Sequence, residues 1–129
     1  MIQPSRKPMG WERRYRELIE LAKTMPAFPE PYRDEAHEVA GCEATVWLYL
    51  DCQDTQHITV RFDSVSRIVK GLLALIQAEL DGHSAATVAH FDIDELFASY
   101  GLTQQLTPSR TNGLYNVSKV LKQRVAQYA

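Results

Sequence analysis

Two cysteines, Cys42 and Cys52, carry the most reactive side chains in this sequence, and their number limits the chemistry that they can do. A thiolate acts as a nucleophile or as a metal ligand. Two thiols are too few for a four-cysteine zinc or iron–sulfur site within one chain, and too few for a secreted scaffold held by several disulfides. The cysteine usage indicates thiols that stay reduced, and we expect a cytoplasmic protein.

Cys42 differs from Cys52 in its position, because it follows Gly41 and comes just before a predicted strand. Gly41 allows backbone conformations that other residues avoid, so a thiol here is well placed to meet a partner. The alternative is that Cys42 is a small buried hydrophobic residue, as free cysteines often are. If residues 44–50 are extended they span roughly 23 Å, whereas a disulfide needs Cα atoms within about 7 Å. We therefore expect no disulfide between the two cysteines.

Other kinds of site have little support in the sequence. The histidines, at positions 37, 57, 83 and 90, lack the spacing of a compact metal motif, so we expect no metal. The formal net charge of −2 argues against a nucleic-acid partner bound through excess basic residues. No apolar run reaches the roughly 18 residues of a membrane span, and the N-terminus lacks the apolar segment of a signal peptide.

The elements around Cys42 follow from hydrophobic periodicity. With 129 residues the chain is predicted to be one domain, residues 1–129, of which residues 1–9 form a loose N-terminal arm. Apolar residues three and four apart predict a helix from Trp11, which the prolines from Pro26 onwards end. Alternation predicts an antiparallel hairpin of two strands, 44–50 and 58–62, with a weakly supported third strand at 38–40. Further helices are predicted at 66–80, 84–90, 92–100 and 107–128.

The predicted architecture is α+β, with helices packed on a small antiparallel sheet. Asp63 and Ser64 suit the cap of the helix at 66–80, which is apolar around most of its circumference and should be buried. Trp47 and Tyr49 point away from the core side of their strand. They either face a partner or are covered by a helix.

Several ordered blocks of this sequence resemble the SufE family, the sulfur-accepting partners of cysteine desulfurases. Residues 41–48, Gly-Cys-Glu-Ala-Thr-Val-Trp-Leu, match the family's Gly-Cys-x-x-x-Val-Trp-Leu signature. Asp63-Ser64 with the Ile-Val-Lys-Gly-Leu run of residues 68–72 matches a second block, and residues 102–114 match a third. The resemblance runs from Trp11 into the C-terminal helix and is nearest to the CsdE-like branch. Phe62 departs from the pattern, since the family usually has glycine before the Asp-Ser pair.

The resemblance implies a SufE/NifU-like fold and a protein that carries sulfur. Cys42 would take the persulfide sulfur from a SufS- or CsdA-like cysteine desulfurase, stimulate that enzyme and pass the sulfur on. A downstream acceptor or iron–sulfur scaffold would receive it, for iron–sulfur cluster assembly. The pyridoxal phosphate belongs to the desulfurase, so we expect no cofactor in this chain. The protein would be a partner and activator rather than a stand-alone enzyme.

The same resemblance marks Gly41, Glu43, Asp63 and Arg110 as candidates for holding the loop or contacting the partner. The Arg110 guanidinium suits fork-like hydrogen bonds to the loop or to a partner. Equally, it could form an internal salt bridge with Asp63.

Three other classes of function remain to be weighed. One is a non-catalytic adaptor that docks on a partner enzyme without using Cys42. Another is an independent thiol enzyme, against which the absence of a resolving cysteine at a usable spacing and of a recognisable Cys–His pair argues. The last is an iron–sulfur scaffold, which would normally offer three cysteines, whereas this chain offers two.

Overall fold

The computed structural model describes residues 9–128, and in that range five α-helices pack against a two-stranded antiparallel sheet. The elements in chain order are α1 (Trp11–Thr24), β1 (Val46–Asp51), β2 (Thr59–Ser64), α2 (Arg67–Leu80), α3 (Ala85–Ala89), α4 (Ile93–Ser99) and α5 (Pro108–Ala126). The α+β class predicted from the sequence is confirmed. Apart from Met9, the predicted N-terminal arm lies outside the described residues. None of the helices within 9–128 has the length and apolar character needed to cross a membrane.

The sheet is a hairpin whose inner face packs on α2. Its register places Val46 opposite Ser64 and Asp51 opposite Thr59. Side chains alternate between the two faces of a strand, so one face collects the apolar set predicted for the core. The buried residues of that face are Val46, Leu48, Val60 and Phe62. α2 is buried around most of its circumference because α1 packs against it as well.

The outer face of the sheet is covered by the strap, residues 26–38, which follows α1 and contains two short 3₁₀ turns. Tyr32 of the strap stacks on Tyr49 with ring centroids 4.5 Å apart. The Arg33 guanidinium lies 5.1 Å from the ring centroid of Trp47, at cation–π distance. The aromatic pair of β1 is thus covered by an irregular segment of the chain rather than by a helix.

The start of α2 differs from the prediction. Ser66 is the N-cap, and its hydroxyl accepts a hydrogen bond from the Val69 amide at 3.3 Å. Asp63 and Ser64 belong to β2, so the prediction that they cap this helix is wrong. Phe62 is also in β2, where its amide donates to the buried side-chain oxygen of Gln77 at 2.9 Å.

Two further differences concern chain segments next to the sheet and at the C-terminus. The third strand predicted at 38–40 is reduced to one isolated bridge between Glu38 and Trp47, beside which the Val39 amide donates to the Val46 carbonyl at 2.9 Å. The last helix was predicted to reach residue 128, but α5 ends at Ala126, and Tyr128 beyond it is 59% exposed.

Replacing Gly71 with alanine is expected to lower the free energy of unfolding by about 1–3 kcal/mol, the usual cost of overpacking a core. A Cβ at this position of α2 would lie 2.7 Å from the backbone oxygen of Leu18 in α1, so the two helices would have to move apart. Urea unfolding measures the change. Gly10→Ala is the matched control, because a Cβ there meets nothing within 4 Å. Equal stability of the two variants would contradict the close packing of α1 on α2.

Candidate functional site

Cys42 lies on a loop, residues 40–45, that runs across the first turns of α5 and leads into β1; we name it the Cys42 loop. The thiol is half-buried, and its S–H donates to the backbone carbonyl of Gly113 with Sγ and O 3.4 Å apart. Beside it is a small recess of about 10 Å³, roughly the space of one water molecule. The apolar side chains that line this recess are Ala44, Val46, Val69 and Leu114.

Gly41 provides the backbone turn that brings Cys42 onto α5. Its φ of +88° lies in the left-handed region, which a residue with a Cβ rarely adopts. The loop passes so close to the helix that a Cβ at Gly113 would touch the Cα of Cys42 at 3.5 Å. Glycine at position 41 therefore allows the chain to turn just before the thiol.

Glu43 ties the other side of Cys42 to the first turn of α5. Its carboxylate accepts from Nε of Arg110 at 3.0 Å and from the hydroxyl of Ser109 at 3.2 Å. The Thr107 hydroxyl caps the helix by accepting from the Arg110 amide, which fixes the turn that presents both donors. Since the Glu43 and Arg110 side chains are 35% and 26% exposed, an ion pair of this kind contributes about 0–1 kcal/mol.

Asp63 is not part of this arrangement and does not line the recess. It forms ion pairs with Arg33 of the strap and with Lys70 of α2, the latter at 3.2 Å. Burial alone would raise its pKa, but the hydrogen bonds from Arg33, the Ser64 amide and Lys70 hold the pKa below its ordinary value. The suggested salt bridge between Arg110 and Asp63 is therefore wrong, and Asp63 joins the strap to the sheet.

The resting thiol of Cys42 is poorly activated. Burial raises its pKa above the ordinary value for cysteine. The positive charge of Arg110, which borders the same recess, is engaged by Glu43. A thiol in this state is mostly protonated at neutral pH, so its nucleophilic form is scarce until its surroundings change.

Cys52 plays a different part in the structure. It is 6% exposed and belongs to the hydrophobic core, and burial raises its pKa too. Both cysteines are free thiols, as expected from the predicted length of the strand between them. Cys52 is consequently a useful internal control for experiments on Cys42.

The described residues around Cys42 offer little that could hold a metal or a small cofactor. Over residues 9–128, no three His, Cys, Asp or Glu side chains lie together in a way that could hold a metal ion. The recess of about 10 Å³ is far below the roughly 300 Å³ of a small ligand pocket.

Sequence reasoning missed two residues of this site, Ser109 and Asn116. The side-chain amide of Asn116 donates to the backbone carbonyl of Ala40, on the other side of Cys42 from Glu43. A polar residue on a predicted helix is normally expected to face solvent. Nothing in the local sequence pattern indicates that Asn116 has a partner 76 residues away in the chain. Only the path of the Cys42 loop over α5 reveals the contact.

Comparisons with known proteins agree with the family that the sequence motifs resemble. Residues 2–125 match the family model described as "SufE: Fe-S metabolism associated domain". The chain is 37% identical over 113 residues to the "Cysteine desulfuration protein SufE" of Wigglesworthia glossinidia brevipalpis, covering 88% of this chain and 78% of that protein. It is 39% identical over 111 residues to the "Sulfur acceptor protein CsdE" of Escherichia coli (strain K12), covering 86% of this chain and 76% of that protein.

A solved structure supports the fold independently. The solution structure of a hypothetical protein from Thermus thermophilus superposes with a TM-score of 0.76 at 24% sequence identity. The superposition covers 93% of this chain and 87% of that one.

Alkylation of Cys42 with iodoacetamide is expected to follow a pH profile with a midpoint above about 8.5, the ordinary pKa of a cysteine. The pKa of Cys42 is higher in the folded protein than in the unfolded chain, so protonation of this thiol stabilises the fold. That contribution is complete below the unfolded-state pKa and is lost as the pH rises through the folded-state pKa. Peptide mapping after timed alkylation gives the rate at each pH. The control is the urea-unfolded protein, whose cysteines should titrate near a pKa of about 8.5. A native midpoint at or below that of the unfolded chain would contradict a sheltered thiol.

Proposed function

Because this chain belongs to the SufE family, we propose that it accepts sulfur from a cysteine desulfurase on Cys42. The observation that carries the proposal is the placement of this thiol on a loop at the surface. The loop is turned by Gly41 and held by side chains of α5. Cys52 is buried in the core and cannot serve the same purpose without unfolding around it.

The proposed transfer is a displacement at sulfur. The Cys42 thiolate attacks the outer sulfur of a persulfide on the desulfurase cysteine. A new S–S bond forms on Cys42, the S–S bond on the desulfurase breaks, and the desulfurase cysteine leaves as a thiolate. The proton that Cys42 gives up balances the charge on the leaving thiolate. The sulfur keeps its oxidation state, so no external oxidant or reductant is needed.

The resting geometry requires that docking change the surroundings of Cys42. A protonated thiol that donates to the Gly113 carbonyl and sits half-buried over a recess is not aimed at a partner. The Glu43–Arg110 ion pair is partly exposed, so the binding energy of a protein partner is large enough to break it. We infer that the Cys42 loop leaves α5 when the desulfurase binds and projects the thiol towards the persulfide.

The proposal also covers the effect on the desulfurase, the absence of a cofactor in this chain, the fate of the sulfur and the place of action. The chain would stimulate the desulfurase by removing its persulfide, and it would use no cofactor of its own, because the pyridoxal phosphate belongs to the desulfurase. The sulfur would pass to an acceptor or scaffold that builds iron–sulfur clusters, in keeping with the description of the matching family model. The cytoplasm, where thiols stay reduced, is the proposed place of action.

Incubation with a SufS- or CsdA-like desulfurase and cysteine is expected to add the mass of one sulfur atom to this protein. Intact-mass spectrometry detects the addition, and Cys42→Ser should abolish both the added mass and the stimulation of the desulfurase. Cys52→Ser is the matched control and should still accept sulfur. A Cys42→Ser variant that stimulates the desulfurase as well as the unchanged protein would instead support an adaptor that does not use Cys42.

Binding of the desulfurase is also expected to speed amide hydrogen exchange in residues 39–44, because the loop loses its contacts with α5. Exchange is compared by mass spectrometry for the free protein and for its complex with the desulfurase. The core strand β2 serves as the internal reference and should exchange at an unchanged rate. Unchanged protection of residues 39–44 in the complex would count against release of the loop.

A further inference from the structure

The Cys42 loop is attached to α5 by residues that lie along one face of the helix. Arg110, Gly113 and Asn116 are three residues apart, a spacing that places them on neighbouring positions of the same face. Arg110 binds Glu43, Gly113 accepts from Cys42, and Asn116 binds Ala40. The loop therefore runs antiparallel to the helix and has an attachment on each side of the thiol.

Asn116 stands out because its partner is backbone and because it touches the turn that precedes the thiol. Its side-chain amide donates to the Ala40 carbonyl. A Cβ at Gly41 would lie only 2.9 Å from Nδ2 of Asn116, so this amide is packed directly on the left-handed turn. A movement that carries Cys42 away from α5 has to separate Ala40 and Gly41 from Asn116.

We propose that Asn116 is a positioning residue that holds the Cys42 loop closed through the Ala40 carbonyl and so sets how readily the thiol is presented. This inference rests on the proposed sulfur-acceptor function. It adds to that function a residue, outside the Gly-Cys signature, that controls how readily the loop opens. The Glu43–Arg110 pair restrains the loop on the far side of Cys42, and Asn116 restrains the side on which the chain turns.

The attachment has a direct consequence for binding. If the desulfurase binds only the open loop, its apparent affinity is reduced in proportion to the fraction of molecules that are open. Removing the Asn116 hydrogen bond enlarges that fraction. The concentration of this protein that gives half-maximal stimulation should then fall, while the maximal rate, which depends on the thiol chemistry, should stay the same.

The test uses Asn116→Ala and Asn116→Leu in the full chain without any desulfurase. Leucine keeps a branched side chain of similar shape and removes the N–H donors, so it separates hydrogen bonding from packing. Asn112→Ala is the matched control: this asparagine is exposed, one helical turn earlier on α5, and makes no side-chain hydrogen bond to any described residue. The readout is the rate of Cys42 alkylation, followed by peptide mapping.

Both Asn116 variants are expected to alkylate about two- to tenfold faster, the range for losing one neutral hydrogen bond. Asn112→Ala should match the unchanged protein. Equal rates in all proteins would overturn the proposal, as would a faster rate in Asn116→Ala alone, which would assign the effect to packing. Should Asn116→Ala fail to fold in thermal unfolding, Asn116→Leu decides.

A second readout uses the desulfurase and separates this inference from the proposed function. Half-maximal stimulation should require about two- to tenfold less of the Asn116 variants at an unchanged maximal rate. A fall in the maximal rate alone would count against a positioning role. If no variant accepts sulfur but the alkylation rates differ as expected, the proposed function fails while the attachment by Asn116 stands.

Discussion

The burial of α2 is the constraint on which the other parts of this protein depend. The sheet packs on one side of this helix and α1 on another, and its residues are buried along most of its length. Val69 of α2 also forms part of the recess beside Cys42, together with Val46 of β1 and Leu114 of α5. Three elements distant in the chain meet at the thiol because each packs against the same apolar core. Burial of that apolar surface supplies the free energy that holds the site together.

Both faces of the sheet contribute to the stability of the fold. The inner face contributes Val46 and Phe62 to the core, while the outer face is covered by the strap through aromatic stacking and the Arg33 guanidinium. Asp63 secures that cover by pairing with Arg33 and with Lys70. Its charge is therefore used in holding the strap on the sheet. The motif position that it occupies serves the scaffold, and the contacts around Cys42 come from α5 instead.

The Cys42 loop is packed closely on α5, but each of its attachments to that helix is weak. The thiol hydrogen bond, the partly exposed Glu43–Arg110 pair and the Asn116 amide each contribute little alone. Together they hold the loop close to the helix in the free protein, and burial there raises the pKa of the thiol. In the sulfur-acceptor function proposed above, docking of the desulfurase would release the loop without disturbing the core beneath it.

Much of the fold followed from the sequence because the helices and strands obey local rules. Periodicity located the helix from Trp11 and the hairpin. In the structure Ser84 and Thr107 cap α3 and α5, and such a helix start depends on neighbouring residues. The ordered motifs identified the family and singled out Cys42. The partners of Arg110, Asp63 and Asn116 depended on tertiary structure, because each contact joins segments far apart in the chain. Local sequence therefore determined which residue types were available near the thiol. The packing of β1 and α5 around a shared buried helix decided which of them meet, because contact across such distances is set by the whole core.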